Sequence, residues 1–589
     1  MTSSRADAAF ITTPIYYVND RPHIGHAYTT TISDVWARAS RLQGRSTFFL
    51  TGTDEHGAKV EKSATARGIS PQALADENAG EFQRVLGTFR ISSDDFIRTT
   101  QPRHIRQVQA FLKALAARGA VTVGTFEGWY DEGQEEYYTE TKAKELGYKS
   151  PISGRPLARA SEENYYFRLS QFQKPLEDFF AANPGFVQPQ GRFNEVLGRL
   201  RDGLQDVPIT RTNFAWGIPF PGDERHVVYV WIDALLNYVT AMGAGAGLAR
   251  SLGVPTCSAP AGSTAGGTGN ESDDATLGSL AAARAAYWPA QYHVIGKEIL
   301  WFHAVIWPAM LMALELPLPR RIHAHSFWIA DGQKMSKSMG NFIDLPTIEG
   351  YIATYGLDAW RWYMATQGPL QATDADFRAA HFHEMYTAEL VNLVGNCASR
   401  VGAMIGKYCD GKLPADSRTG RSVDAAGAGG AAGAAGAAGA GGAGCSVQCW
   451  AVRCDTAVSA WRESMDDFDL VAAARAPLDL LREVDAYINR TEPFKLAKDP
   501  ANAENMSKVH SVLAQCAQTV RVAGVLLLPF LPEKMDQLAQ AFGGASISRA
   551  TEAGHSANDF ATLARYGELA VGASIAKTAL FPRVERKDA

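Results

Sequence analysis

Two histidines sit three residues apart in His23-Ile24-Gly25-His26, between an apolar, β-branched run (Ala9-Phe10-Ile11-Thr12-Thr13) and a helix-like stretch from Ala27 to Leu42. That order predicts a strand, a turn and a helix. Imidazoles and backbone N–H groups gathered at a helix start suit a polyanion, because the helix dipole favours negative charge there. Gly25 keeps a side chain out of the path of an approaching nucleotide. A surface turn with two ordinary histidines accounts for these four residues equally well. Far downstream, Lys334-Met335-Ser336-Lys337-Ser338 lies between Gly332 and Gly340. Two lysines on a glycine-flanked loop can close over phosphates and neutralise charge that grows there during a reaction. Alone, such a charge pair is more simply a solvated loop. The two segments reinforce each other, since each stands in a context that phosphate chemistry needs. No GxxxxGK[ST] run occurs, so the phosphate site is not a P-loop.

The elements that would hold these residues follow from patterning. A chain of 589 residues exceeds one hydrophobic core and predicts several domains. The strand-like and helix-like segments Ala9–Thr13, Ala27–Leu42, Ser46–Leu50 and Gly57–Arg67 alternate, which predicts a parallel α/β sheet. From about residue 120 to 220 the texture changes to turns, aromatics and acids, as in Gly128-Trp129-Tyr130-Asp131-Glu132-Gly133, and reads as an insertion. Strand-like Val227-Val228-Tyr229-Val230-Trp231 then resumes the α/β pattern. Helical patterns dominate from about Ala379, for example over Ala380–Lys407, Thr456–Arg490 and Ser507–Gly543. The divisions expected are 1–118 and 226–331 for two halves of an α/β domain, 119–225 for the insertion, 332–378 for the lysine loop region, and 379–589 for a helical domain. Gly- and Ala-rich stretches at 243–283 and 416–447 read as surface insertions, since closely spaced glycines undo alanine's helical preference.

Composition excludes some classes. An apolar fraction of 46% and a charged fraction of 20% are those of a soluble globular protein. A net charge of -5 neither supports nor excludes a nucleic-acid partner, which would need a local basic surface. Seven cysteines argue against a disulfide scaffold, and Cys445, Cys449 and Cys454 match no common zinc spacing, so they read as free thiols. No apolar run approaches the ~18 residues of a membrane span, and so few residues precede the first strand that no signal or transit peptide is visible.

The tetrapeptide His23–His26 and the pentapeptide Lys334–Ser338 resemble the two signatures of class I aminoacyl-tRNA synthetases. A narrower resemblance rests on Thr12-Thr13-Pro14-Ile15-Tyr16-Tyr17-Val18-Asn19, Thr51-Gly52-Thr53-Asp54-Glu55-His56-Gly57, Tyr229-Val230-Trp231-Ile232-Asp233-Ala234-Leu235, Ile295-Gly296-Lys297-Glu298, Phe302-His303-Ala304 and Trp307-Pro308-Ala309-Met310-Leu311. These look like methionyl-tRNA synthetases of the bacterial and organellar type, over nearly the whole chain except the two insertions. The resemblance implies a class I Rossmann-like nucleotide-binding α/β catalytic domain with an inserted connective domain, followed by an α-helical anticodon-binding bundle. It implies activation of methionine by ATP, with Mg2+, and transfer to tRNA for methionine. His23, His26, Lys334 and Lys337 would be catalytic; Gly25, Gly296, Lys297 and Glu298 would join His23, His26 and Lys337 at ATP, with Glu298 facing the ribose where many relatives have Asp. Asp54 would hold the substrate ammonium. Ile15, Tyr17, Trp231, Ala234, Leu235, Tyr238, Phe302, His303 and Trp307 would line the methionine pocket, with Arg211 close by. A thioether is soft and suits aromatic faces, and a polar partner such as the Tyr17 hydroxyl or His303 would reject plain hydrocarbons. Without the resemblance, the helical spacing of Trp231, Ala234, Leu235 and Tyr238 reads as core, and His303 as a core histidine.

Asn396 and Arg400 lie four apart and would face one side of a helix. With Phe494 they resemble the family's anticodon-reading residues, although relatives usually carry Trp at the last position; a capped and packed helix pair is the plainer alternative. Many relatives carry Cys-x-x-Cys zinc knuckles in the insertion, whereas this chain has no cysteine between Met1 and Thr256, so no structural zinc is expected. The chain ends too soon after Phe581 for an appended domain, and a monomer without membrane association is expected. Localisation is expected to be cytoplasmic, or the mitochondrial or plastid matrix if a transit peptide has been removed. A leucine, isoleucine or valine synthetase is disfavoured because about 100 inserted residues are too few for an editing domain. A non-catalytic RNA-binding paralogue need not keep His23, His26, Lys334 and Lys337.

Overall fold

Strands covered on both faces are buried along nearly their whole length, as Ser46–Asp54, Tyr292–Gly296 and Ile322–His325 are and Ala8–Tyr17 is for most of its own. The computed structural model describes residues 8–18, 21–131, 136–138, 140–243, 281–330, 332–335, 341–416, 447–552 and 560–585. In it these strands form the centre of a six-stranded sheet, in the spatial order Asp95–Arg98, Ser46–Asp54, Ala8–Tyr17, Tyr292–Gly296, Ile322–His325 and Val187–Gln188. Ala8–Tyr17 runs parallel to Tyr292–Gly296, with Ile11 opposite Tyr292, and the next two ladders outward from there are also parallel. Ser46–Asp54 and Asp95–Arg98 pair in parallel on the other side. This is the expected Rossmann-like α/β architecture. Its winding reverses between Ala8–Tyr17 and Tyr292–Gly296, which opens a crevice at the carboxyl ends of those two strands.

The chain divides into two compact units. The first holds residues 1–33, 47–327 and 369–374, and contains the six-stranded sheet and its helices. It also contains a four-stranded antiparallel sheet of Val121–Asp131, Glu136–Tyr138, Ala158–Phe167 and Val207–Pro208, inside the segment read as an insertion. That segment returns Val187–Gln188 to the edge of the main sheet. The expected continuation of the α/β pattern at 227–231 differs. Asp223–Val228 pairs antiparallel with Thr210–Arg211 and Pro219–Phe220, and Tyr229 caps a helix, Val230–Thr240. The run Val-Val-Tyr-Val-Trp-Ile suits strand and buried helix alike, and Asp233, Asn237 and Thr240 at helical spacing resolve it.

The second unit holds residues 34–46, 328–368 and 375–589. Here the Asp34 carboxylate, wholly buried, pairs with Arg38 and with Arg361, each at 2.7 Å. Helices dominate it, as expected, but two of the anticipated stretches are broken. Val447–Asp466 and Leu470–Thr491 are separate because Phe468 takes a positive φ of 61° and Asp469 caps the next helix through Ala472 N–H. Ala503–Leu527 and Pro532–Ala541 part where Pro532 starts a new first turn. No helix among the described residues is long and apolar enough to cross a membrane. Most of the two Gly/Ala-rich stretches, Glu132–Gln134 of the insertion, and Ser336, Lys337 and Ser338 lie outside the described residues, as do Cys445 and the side chain of Cys449; Cys454 is a buried free thiol.

Candidate active site

A cavity of about 350 Å³ opens at the crevice where the sheet reverses its winding. Its walls come from strand ends: Pro14–Tyr17, Asp54, Gly296 and His325. The start of the Ile24–Leu42 helix contributes His23, Gly25, His26 and Thr29, and the Val230–Thr240 helix contributes Val230, Trp231, Ala234, Leu235 and Tyr238. Short motifs far apart in sequence meet because parallel strands carry their loops to one edge.

The histidine pair is held by backbone. Gly25 N–H donates to His23 Nδ1 at 3.1 Å, and His23 N–H donates to His26 Nδ1 at 3.2 Å. Each Nδ1 therefore accepts, which places the proton of each neutral ring on Nε2. The rings lie 4.0 Å apart. Burial and the neighbouring His23 hold His26 well below the usual histidine pKa, so it is a neutral N–H donor at pH 7. A Cβ at position 25 would stand 2.9 Å from the His23 ring, so this turn needs glycine. Tyr16 fixes His26 from behind, edge-on at 4.9 Å, while stacking on Phe82 at 5.3 Å.

The aromatic end of the cavity is equally constrained. His303 Nδ1 lies 3.0 Å from the Ile299 carbonyl, which can only accept, so His303 carries its proton there. Its Nε2 then accepts the Tyr238 hydroxyl at 2.7 Å. Burial lowers the His303 pKa to about 4, consistent with that neutral tautomer. Both nitrogens are thus engaged, and His303 orients Tyr238 rather than offering an N–H to a ligand. Behind Tyr238, His293 lies 4.2 Å away ring to ring and is itself fixed by Thr12 Oγ1 at 2.8 Å and by Trp307 Nε1–H at 3.3 Å. Phe302 stacks on Trp231 at 4.1 Å and 11°. Phe302–Ile306 forms one wide π-helical turn, a local widening frequent at functional sites.

The expected site residues divide accordingly. His23, Gly25, His26, Gly296 and Glu298 line the cavity, and so do Ile15, Tyr17, Asp54, Trp231, Ala234, Leu235, Tyr238 and His303. Phe302 and Trp307 stand one layer behind, supporting Trp231 and Tyr238. Arg211 is buried outside the lining, stacked 4.0 Å over Tyr229 and donating to the Thr210 carbonyl. Lys297 turns to Asp374 at 2.6 Å, beside the Phe327 ring. Glu298 folds its carboxylate back over Gly296, where any Cβ would collide with it. Lys59, Tyr16, Thr29, Val230, Ile299, His325 and Phe327 also line the cavity and were not anticipated. Lys59 and Val230 adjoin recognised segments and were legible by proximity; His325 comes from a strand with no signature of its own.

In the second unit, Lys334 is exposed on a two-residue strand, with Ile329 opposite it; Lys337 lies outside the described residues. Arg400, on the Asn396–Tyr408 helix, donates to Asn489 Oδ1 at 2.7 Å and faces Asp485 at 3.5 Å. Asn396 and Phe494 are both exposed, the latter by 37%. Among the described residues no group of three or more His, Cys, Asp or Glu side chains could hold a metal ion.

Comparison with known proteins adds a family to this geometry. A family model described as tRNA synthetases class I (M) matches residues 9–147 and 142–402. The methionine–tRNA ligase of Streptomyces coelicolor is 38% identical over 99% of this chain and 98% of its own length. That of Halalkalibacterium halodurans is 35% identical over 98% of this chain and 78% of its own. Among solved structures, Mycobacterium tuberculosis methionyl-tRNA synthetase in complex with methionyl-adenylate aligns with a TM-score of 0.79 at 31% identity, covering 98% of this chain and all of the other.

Proposed function

This chain belongs to the class I methionyl-tRNA synthetases, and from that premise we propose how its cavity serves their reaction. ATP activates methionine to methionyl-adenylate, and the methionyl group then passes to the 3′ end of tRNA for methionine. The observation that carries the assignment is one cavity joining a carboxylate, Asp54, to an aromatic slot at Trp231 and Tyr238 and to the His23/His26 donors. Methionine lies with its ammonium on Asp54 and its thioether among Ile15, Trp231, Ala234, Leu235 and Tyr238, where polarisable sulfur meets aromatic faces. Its carboxylate attacks the α-phosphorus of ATP, the bond from that phosphorus to the β-phosphate oxygen breaks, and pyrophosphate leaves as methionyl-adenylate forms. Little covalent chemistry is asked of the protein, which positions the reactants and stabilises charge on the phosphate oxygens. His23 and His26 offer Nε2–H donors to those oxygens, and Lys334 and Lys337 neutralise the triphosphate. Magnesium enters with the triphosphate as part of the substrate. Gly296 and Glu298 face the nucleoside, with Lys297 beside them. Asn396, Arg400 and Phe494 read the anticodon, Phe494 offering an exposed ring on which a base can stack.

Amino-acid-dependent ATP–pyrophosphate exchange tests this reading. Exchange should depend on methionine, with leucine and isoleucine at least about tenfold poorer in kcat/KM, the scale on which a shaped pocket discriminates. Exchange with leucine in preference to methionine would overturn the pocket assignment.

A further inference from the structure

We infer that Asp233 is a positioning residue for methionine, bolting the turn that carries Asp54 to the helix that carries the aromatic slot. The inference rests on the assignment of the methionine ammonium to Asp54. Asp233 touches no part of the cavity. It lies on the opposite face of the Val230–Thr240 helix from Trp231, Ala234 and Tyr238, and is buried to 1% exposure. Its two oxygens are divided between two other elements. Oδ2 faces His56 Nδ1 at 2.6 Å, two residues after Asp54, and Oδ1 faces His104 Nε2 at 2.6 Å, on the Pro102–Ala117 helix. His104 Nδ1 returns to Thr240 Oγ1 at 2.7 Å, and Gln107 Nε2–H donates to the Thr240 carbonyl at 2.9 Å, so the pocket helix is tied to the Pro102–Ala117 helix at both ends. Burial alone would push the Asp233 carboxyl up, yet the two histidines hold it below the ordinary value, so it is an ionised acceptor for both rings.

The residue between Asp54 and His56 is fixed from the other side. Glu55 is fully buried and receives Arg98 Nε at 2.6 Å and the Thr53 hydroxyl at 2.6 Å. Asp54 thus sits between two anchored neighbours, one fastened to the sheet and one to the pocket helix. Methionine's ammonium and thioether are joined by only three carbons, so Asp54 and the slot must stay in register for one extended side chain to reach both at once. The His23/His26 turn and Gly296 lie at the ends of other strands, and Gly25 and His23 N–H anchor that turn within itself. Loosening Asp233 should therefore weaken methionine binding and spare ATP.

The test is ATP–pyrophosphate exchange with the full chain, reading KM for methionine and for ATP separately. Asp233→Asn and His56→Leu should each raise the methionine KM about tenfold, with ATP KM within about twofold of wild type. His56→Asn should stay near wild type, because an asparagine amide N–H stands close to the ring Nδ1–H and can still donate to Asp233. A network serving folding alone would move both KM values together or neither, and either pattern overturns the inference; so does a His56→Asn protein as impaired as His56→Leu. Should Asp233→Asn fail to fold, the two His56 variants decide. Asp54→Asn runs alongside: if it leaves methionine KM unchanged, the assignment of Asp54 has failed, whereas if it raises KM while the Asp233 and His56 variants do not, only the positioning role has.

Discussion

Tyr238 and His303 show how a single proton sets what a pocket can read. The Ile299 carbonyl commits the His303 proton to Nδ1, so the Tyr238 hydroxyl is turned toward Nε2 and held at the end of the slot. Tyr238→Phe removes the hydroxyl and leaves the ring. Its expected consequence is a buried His303 Nε2 left without its donor and a slot ring no longer held, which should raise the methionine KM about tenfold. Exchange kinetics at varied methionine check this, and an unchanged KM would count against Tyr238. At this scale, the short contiguous segments that carry the resemblance placed Asp54 and Trp231 together, and both line the cavity, whereas the spacing of Trp231, Ala234, Leu235 and Tyr238 alone reads as core. The support behind such residues was not legible. His293 backs Tyr238 and Tyr16 backs His26 only because distant strands lie side by side, and no local pattern carries that adjacency.

Among the elements, the antiparallel lobe of the insertion shows a packed alternative to a metal. Trp129 and Tyr148 lie 4.7 Å apart, and Glu140 receives both the Trp129 Nε1–H at 2.8 Å and the Tyr148 hydroxyl at 2.9 Å. Around them Tyr138, Ala143 and Leu157 make a small core. These contacts clamp the helix at Glu140–Glu145 to the sheet without thiolates. Purified protein should therefore contain well below ~1 equivalent of zinc, and a chelator should leave its melting temperature unmoved. Stoichiometric zinc by elemental analysis would contradict this. Element types in the α/β part were legible from alternation, and the strands and helices fell where apolar runs placed them. Val227–Trp231 was not, because one apolar run serves a strand end and a helix start, and only the polar spacing further on distinguishes them. The helix breaks at Phe468 and before Pro532 depend on a positive φ and on a proline whose effect periodicity alone understates.

Across the whole chain, burial of neutral histidines ties stability to pH. Burial lowers the pKa of His303 and His325 to about 4 and of His323 to about 3, against 6.5 when exposed. The unfolded chain then binds more protons than the folded one between those values, so stability is fully present above about pH 6.5 and is lost as pH falls toward 4. Urea unfolding should show its midpoint falling steadily from pH 7 to pH 5, and a flat midpoint over that range would mean these rings are less buried than described. His26, held neutral by its burial and the neighbouring His23, likewise keeps its proton on Nε2 across the physiological range. The change of texture near Ala379 marks where helical patterns come to dominate, but the second compact unit already takes in residues 328–368, and it also takes in residues 34–46, since nothing in a single helix marks where its neighbours change. The central claim is that one cavity at the sheet's switch point holds both methionine and the activated phosphate. A crystal structure of the protein with a non-hydrolysable methionyl-adenylate analogue tests it most directly. The ammonium should lie on Asp54, the thioether between Trp231 and Tyr238, and the phosphate against His23 and His26; density for the analogue elsewhere, or with its thioether away from those rings, would contradict the account.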